Sequence, residues 1–388
     1  MDFSPRPEHE AIRTAVRAVM ANFPDDYWSA KDQAHEFPWE FYRAMAAGGW
    51  LGTAIPQEYG GSGLGVAEAG IVLGEVAGSG AAMNGASAIH ISMFGINPVI
   101  KHGSEAMRRE WVPRVVTGEV HVCFGVSEPD LGTDIARVRT RAVRRGDHYV
   151  VDGRKTWLTK ASESRKVLLL ARTTPVEQCR RPIDGLSLFF TDLQRDKVTI
   201  RPIRKMGRHA VQSNEVAIDG MEVPVEDRLG EEGRGFHYLL DGINPERILA
   251  SMGAVGVGRA ALRRAVQYAK ERIIYERPIG QNQGVQFPLA DALCRLDAAE
   301  LIAMRAAWLY DQGLPCGPEA SMAKYLAGEA AFQAADRAVQ TLGGFGYAAD
   351  MHVERYFREA RLLRITPISE NMILSYLSEH VLGLPKSY

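Results

Sequence analysis

Residues 148–159 read HYVVDGRKTWLT, and whether this run is strand or helix decides the architecture. Tyr149, Val150, Val151, Thr156, Trp157 and Thr159 are β-branched or aromatic, types that fit a pleated surface. Similar short runs lie on both sides: VCFGVSEP (122–129), RVRTRAV (137–143), KVLLLART (166–173), GLSLFFTDL (185–193) and NEVAIDGMEVP (214–224). Clusters such as RRGD (144–147) and VDGR (151–154) read as turns between them. Strands at this spacing, with no long helix between them, predict a small antiparallel barrel or sandwich over residues 119–232.

The flanks have a different texture. In residues 1–118, Ile12, Ala15, Val16 and Val19 recur at helical spacing, and FPWEFYRAMAAGGWLG (37–52) and AEAGIVLGEVAG (67–78) continue the pattern. The glycine-rich PQEYGGSGLG (56–65) has neither the G-x-G-x-x-G spacing nor a buried strand before it, so it reads as a flexible connector rather than a phosphate cradle. From residue 233 to 388 three long amphipathic segments (244–278, 287–313 and 319–344) and a last one at 372–382 predict a four-helix bundle. GAVGVG (253–258) inside the first is read as small-residue packing between helices. The fold class is α+β in three domains: helical, β and helical.

A formal net charge of −1 over 388 residues gives no global pull toward nucleic acid or anionic membrane. The N-terminal MDFSPRPEHEAIRTAV lacks the apolar core of a signal peptide, and no run of 18 apolar residues occurs. Cys123, Cys179, Cys294 and Cys316 show no CxxC spacing, and the ten histidines form no HExxH. The expectation is a cytoplasmic chain without membrane span, disulfide or metal.

VSEPDLGTD (126–134), GRKTWLT (153–159), ERIIYERPIGQNQGVQF (271–287) and QTLGGFGY (340–347) occur in this order. Together they resemble the flavin-dependent acyl-CoA dehydrogenase family over essentially the whole chain. The resemblance implies bound FAD, an acyl-CoA thioester substrate, an electron-transfer flavoprotein as acceptor and a homotetramer. By the family pattern Phe124, Val126, Ser127, Gly132 and Thr133 line the flavin or the pantetheine arm. Trp157, Leu158 and Thr159 match the segment whose indole and hydroxyl meet the flavin. Ser127 and Thr133 offer hydroxyls, and Gly132 lets the backbone approach closely. Arg272, Gln283, Gln340, Gly343 and Gly344 match contacts to a neighbouring subunit's FAD, and Ser369 and Asn371 match further cofactor contacts. Lys160 stands where the family usually has asparagine, and Tyr275-Glu276 where Phe-Gly is common.

The chemistry needs a carboxylate in reach of the thioester's α-proton. Most members carry it in a loop before the last helix; aligned without gaps, that position here is Pro367, within RITPISENM (364–372). Using Glu370 instead would take a three-residue shift that breaks the register of the following helix. Isovaleryl- and long-chain-type members carry the base on the first bundle helix, where this chain reads INPERIL (243–249) and places Glu246. A first-turn glutamate favoured by the helix dipole is the plain alternative; the vacated position at 367 favours the base. Asn244 and Arg247 match contacts to CoA, with Thr133 also near the substrate. His90 falls at the far end of the acyl pocket, or is a hydrogen-bonded core histidine. Pro367 also lacks the backbone N–H that elsewhere helps bind the thioester carbonyl. Rivals on the same fold are an acyl- or aminoacyl-carrier-protein dehydrogenase, a flavin oxidase, and a DNA-binding stress protein that the neutral charge disfavours.

Overall fold

The computed structural model describes residues 6–387. The first part is helical: α1 (Pro7–Met20), α2 (Asp25–Ala34), α3 (Trp39–Ala47), α4 (Val66–Val76), α5 (Ala82–Phe94), α6 (Asn97–His102) and α7 (Glu105–Val116). The middle part holds β1 (Val122–Gly125), β2 (Arg141–Arg145), β3 (His148–Thr159), β4 (Lys166–Arg172), β5 (Leu186–Asp192), β6 (Val198–Pro202) and β7 (Ser213–Pro224). The last part contains α8 (Gly235–Leu240), α9 (Ile243–Glu271), a minimal hairpin of β8 (Ile273–Ile274) and β9 (Arg277–Pro278), α10 (Gln283–Asp311), α11 (Gly317–Leu342), α12 (Val353–Leu362) and α13 (Glu370–His380). The expected order of helical, β and helical parts is present.

Several details differ from the sequence reading. The sheet is mixed, because β1 pairs parallel with β4 while β3, β7 and β6, and β4 and β5, pair antiparallel. The β2–β3 hairpin lies between β1 and β4 in the chain, and such an excursion is what returns a strand parallel to its start. VDGR is not a turn: β3 runs through it, absorbing the irregularity as a register shift against β7 between Val151 and Gly153. In the last domain α9, α10 and α11 pack on one another as expected, but α12, which the sequence reading passed over, packs on both α9 and α11, whereas α13 packs on α11.

Small residues let α9 pass close to the first domain. A Cβ at Gly256 would lie 2.4 Å from the Gly74 carbonyl oxygen, so only glycine allows this crossing. The helical stretch 66–102 is long and apolar enough by composition to cross a membrane, but 72% of its most apolar window is buried inside the molecule, largely against α9.

Buried polar ties join the three parts. Asn84 on α5 donates Nδ2–H to Asp32 (3.0 Å) and Glu359 (2.8 Å), donates its own N–H to Glu359 (3.0 Å), and accepts the N–H of Ala210 (3.0 Å). The 56–65 segment is likewise fastened rather than flexible. Asp311, the last residue of α10, accepts the N–H groups of Val66 (2.8 Å) and Ala67 (3.1 Å), capping α4 from another domain, and a side chain at Gly65 would collide with that carboxylate. Asp311→Ala is expected to lower stability by ~0.5–2 kcal/mol, the range for losing a helix cap; urea unfolding indistinguishable from the parent would refute this cap.

Candidate active site

Helices α5 and α9 run antiparallel. A Cβ at Gly256 would meet Ala77, one at Gly253 would touch Met83 and Ala86, and Asn97 donates to the Asp241 carbonyl (3.3 Å). Stepping back along α9 therefore accompanies stepping forward along α5, which sets Glu246 and Leu249 level with the His90–Phe94 turn. The His90 and Phe94 rings are 4.4 Å apart, and Phe94 lies 5.5 Å from Phe124 at the end of β1. The space between α5, α9 and the end of β1 is therefore the candidate cleft.

The sheet wall is built on a buried ion pair. Glu128, in the loop after β1, accepts from Lys155 Nζ (3.1 Å) and from the N–H groups of Arg139 (2.9 Å) and Thr140 (2.8 Å), while Lys155 also donates to the Val126 carbonyl (3.0 Å). Burial pulls the Lys155 ammonium down to about 8, with Glu128 opposing the shift. The N–H of Thr156 donates to the Ser127 carbonyl (3.0 Å), so the 126–133 loop is fixed to β3. Ser127 and Val126 are half-buried beside the cleft, while Gly132 and Thr133 are exposed.

Between Lys155 and Leu158, β3 shifts register by one residue against β7. Within this bulge Trp157 has φ 63° and is 57% exposed, an arrangement that turns its indole out of a strand whose neighbours are buried. Thr159 lies two residues on, half-buried. Leu158 is a member of the sheet's core, so its side chain faces away from Trp157 and only its backbone is available to a ligand. A flat exposed indole, the Thr159 hydroxyl and the fixed 126–133 loop fit a planar ring system with a polar tail.

Glu246 sits in the first turn of α9, with its N–H bonded to the Gly242 carbonyl. Its carboxylate has neither a hydrogen bond nor an ion pair among the described residues. Burial raises it to about 7, against the pull of Arg247. It nevertheless keeps part of its surface accessible. Glu370 is different: Arg364 grips it through two bonds, Nε to Oε1 (2.8 Å) and Nη2 to Oε2 (3.0 Å). Burial alone would raise the Glu370 carboxyl; Arg364 and its neighbours hold it below the ordinary range. Arg247 reaches Asn244 and Ser321 (both 3.3 Å), which leaves Nε without a partner. Ser369 accepts the N–H of Met372 (3.4 Å) as the cap of α13, and Asn371 is exposed beside it.

Other predicted residues gather elsewhere. Arg272, Gln283, Gln340, Gly343 and Gly344 are exposed at the far end of the bundle, separated from Glu246 by most of α9, ~40 Å for its 29 residues. One chain does not bring the two groups together. His90 is half-buried on α5, its Nε2 enclosed and without a partner, so the expectation of a hydrogen-bonded core histidine fails at that nitrogen. Sequence reading missed Glu128, Lys155 and Arg208. The first two lie inside motifs it quoted, where a pairing across the fold leaves no local mark. Arg208 bonds Ser87 Oγ (3.2 Å), Ser213 Oγ (2.7 Å) and Thr159 Oγ1 (3.5 Å), contacts that a single basic loop residue does not announce.

Three family profiles cover nearly the whole chain: the N-terminal domain of acyl-CoA dehydrogenases at residues 6–119, the middle domain at 123–221 and the C-terminal domain at 233–381. The acyl-CoA dehydrogenase FadE12 of Mycobacterium tuberculosis is 34% identical over 98% of this chain and 97% of its own. A glutaryl-CoA dehydrogenase of Desulfococcus multivorans is 32% identical over the full length of both chains. The solved glutaryl-CoA dehydrogenase with glutaryl-CoA superimposes with a TM-score of 0.93 at 31% identity, covering 100% of this chain and 98% of that one.

A buried acid without a partner carries a stability consequence. Glu246 binds its proton more tightly folded than unfolded, so its contribution is favourable at pH 5 and is lost as pH rises through about 7. Glu246→Gln is expected to raise the melting temperature at pH 8 and to change it little at pH 5. A lower melting temperature at pH 8 would show that the carboxylate is compensated.

Proposed function

The chain belongs to the acyl-CoA dehydrogenase family, and from that membership we propose that it oxidises an acyl-CoA thioester to the 2-enoyl-CoA with Glu246 as the base. The observation that carries the choice of base is the contrast between two glutamates. Glu246 has no partner among the described residues, stands level with the His90–Phe94 turn and is raised to about 7; Glu370 is clamped by Arg364. Pro367 has no ionisable group to offer.

FAD is the family's cofactor; when bound, it accepts the hydride from the β-carbon. Trp157, Thr159, Ser127 and Thr133 would hold its ring and chain. The chain's own task is proton removal. The α-proton passes to a carboxylate oxygen of Glu246, whose burial makes it a stronger base than an ordinary surface glutamate. Water excluded from this buried position cannot compete for the proton. Asn244 and Arg247, two residues before the base and one after it, orient the CoA arm. The Arg272 cluster would reach the cofactor of an adjacent protomer in a homotetramer. In support, Ile273, Ile274, Tyr275, Phe287, Phe345 and Tyr347 are exposed around that cluster, an apolar rim suited to subunit contact. An electron-transfer flavoprotein is the proposed acceptor.

The test is anaerobic bleaching of the bound flavin by acyl-CoA thioesters. Glu246→Gln should retain FAD and lose ~10²–10⁴ in bleaching rate, while Glu370→Gln stays within about tenfold of the parent. The base works ionised, so the parent's rate should climb as pH passes about 7. Full activity in Glu246→Gln sinks the assignment. For the shared cofactor, Arg272→Ala should lower the flavin-to-protein ratio, read from the absorbance spectrum of the purified protein. An unchanged ratio would remove that arginine from the site.

A further inference from the structure

Arg208 is a deeply placed cation with no carboxylate in ion-pairing distance among the described residues. Its bonds go to three neutral hydroxyls, those of Ser87, Thr159 and Ser213, and its Nε has no partner. The acid that acts on it, Glu359, does so from beyond contact. That carboxylate is committed to the N–H and Nδ2–H of Asn84 and lies 3.8 Å from Arg355. Lys160, buried with Nζ on the Ala88 carbonyl of α5 (2.9 Å), adds charge of the same sign. Removal from water lowers Arg208 to about 10, and an unpaired buried charge is among the costliest features a fold can carry.

A second group without a partner adjoins it. Ser87, which receives the guanidinium, and His90 stand three residues apart on α5 and share one helix face. Nε2 of His90 has no hydrogen bond, and burial together with Arg208 and Lys160 pulls the ring to about 3, so it is neutral. His90 and Arg208, like Glu246, keep part of their surface accessible, although Nε2 of His90 and Nε of Arg208 are themselves enclosed, and His90 belongs to the α5 turn that stands level with Glu246. A plain hydrocarbon tail would leave a cation and a ring nitrogen unsatisfied there.

We propose that the acyl end of the cleft binds a carboxylate carried by the substrate's acyl group, with Arg208 as its charge partner and His90 as a neutral donor beside it. The substrate class is then a carboxyacyl-CoA thioester. The inference rests on the dehydrogenase reading above.

The experiment compares kcat/KM, by anaerobic flavin bleaching, for succinyl-, glutaryl- and adipyl-CoA against butyryl- and hexanoyl-CoA. The best carboxylated thioester should exceed the best neutral one by about 10²-fold, a modest share of what a site built around a polar partner can achieve. Arg208→Gln should collapse that ratio toward unity, and Arg208→Lys, which keeps a charge, should restore part of it. A wild-type ratio near or below one overturns the inference while leaving the dehydrogenase reading intact. Bleaching by no thioester of either class defeats both. A ratio unchanged in Arg208→Gln, or loss of FAD from that variant, assigns the arginine to other duties and overturns it too. Should Arg208→Gln fold poorly, the wild-type ratio alone decides.

Discussion

One buried amide holds the three parts of the molecule in register. Asn84 is a single side chain that can donate to two carboxylates and accept from a backbone N–H at once. It does so with Asp32 from α2, Glu359 from α12 and Ala210 from the loop before β7. Asp32 extends the knot by accepting the His209 N–H (2.7 Å) and the Arg358 guanidinium (3.1 Å). The residues on either side of this knot are those that face the cleft. Arg208 immediately precedes His209 and Ala210, both held by this knot, and its φ of 58° is the backbone cost of pointing its side chain at α5. Ser87 and His90 follow Asn84 at three and six residues, along one face of the helix that Asn84 anchors. Cleft and scaffold are therefore set by the same bonds, which explains why a polar network occurs in an otherwise alanine- and leucine-rich core.

Much of this was legible in the sequence, because period and composition report burial directly. The helical stripes of α9, α10 and α11 and the β-branched run of β3 mark their buried faces whatever they pack against. The position of Glu246 was legible through the ordered motifs and the proline at 367. The parallel β1–β4 pair was not, since direction depends on a crossover and not on the residues of either strand. VDGR misled because glycine in a strand and glycine in a turn look alike; only the pairing of β3 with β7 distinguishes a bulge. Arg208 was invisible for a different reason. Its partners at Ser87 and Thr159 are 121 and 49 residues away, and pairings at that range leave no periodic trace.

Buried charges in the molecule differ in what they recover from their surroundings, with Lys160 and Lys324 also lacking an acid in ion-pairing distance among the described residues. Those that hold loops and helices are paired. Lys155 meets Glu128 beneath the 126–133 loop, Arg355 and Arg264 meet Asp25 beside Tyr356, and Arg364 meets Glu370 at the start of α13. Each such pair recovers in Coulomb attraction and hydrogen bonds part of what leaving water costs. Glu246 and Arg208 recover nothing comparable from the protein. Both are pulled toward neutrality by burial alone, the acid up to about 7 and the guanidinium down to about 10. Random drift does not preserve such defects, because each lowers stability and a hydrophobic replacement would relieve it. Two charges of opposite sign left without an ion-pair partner, in a scaffold that pairs Asp25, Asp32, Glu128 and Glu370, suit a site whose complementary charges arrive with the ligand and leave with the product.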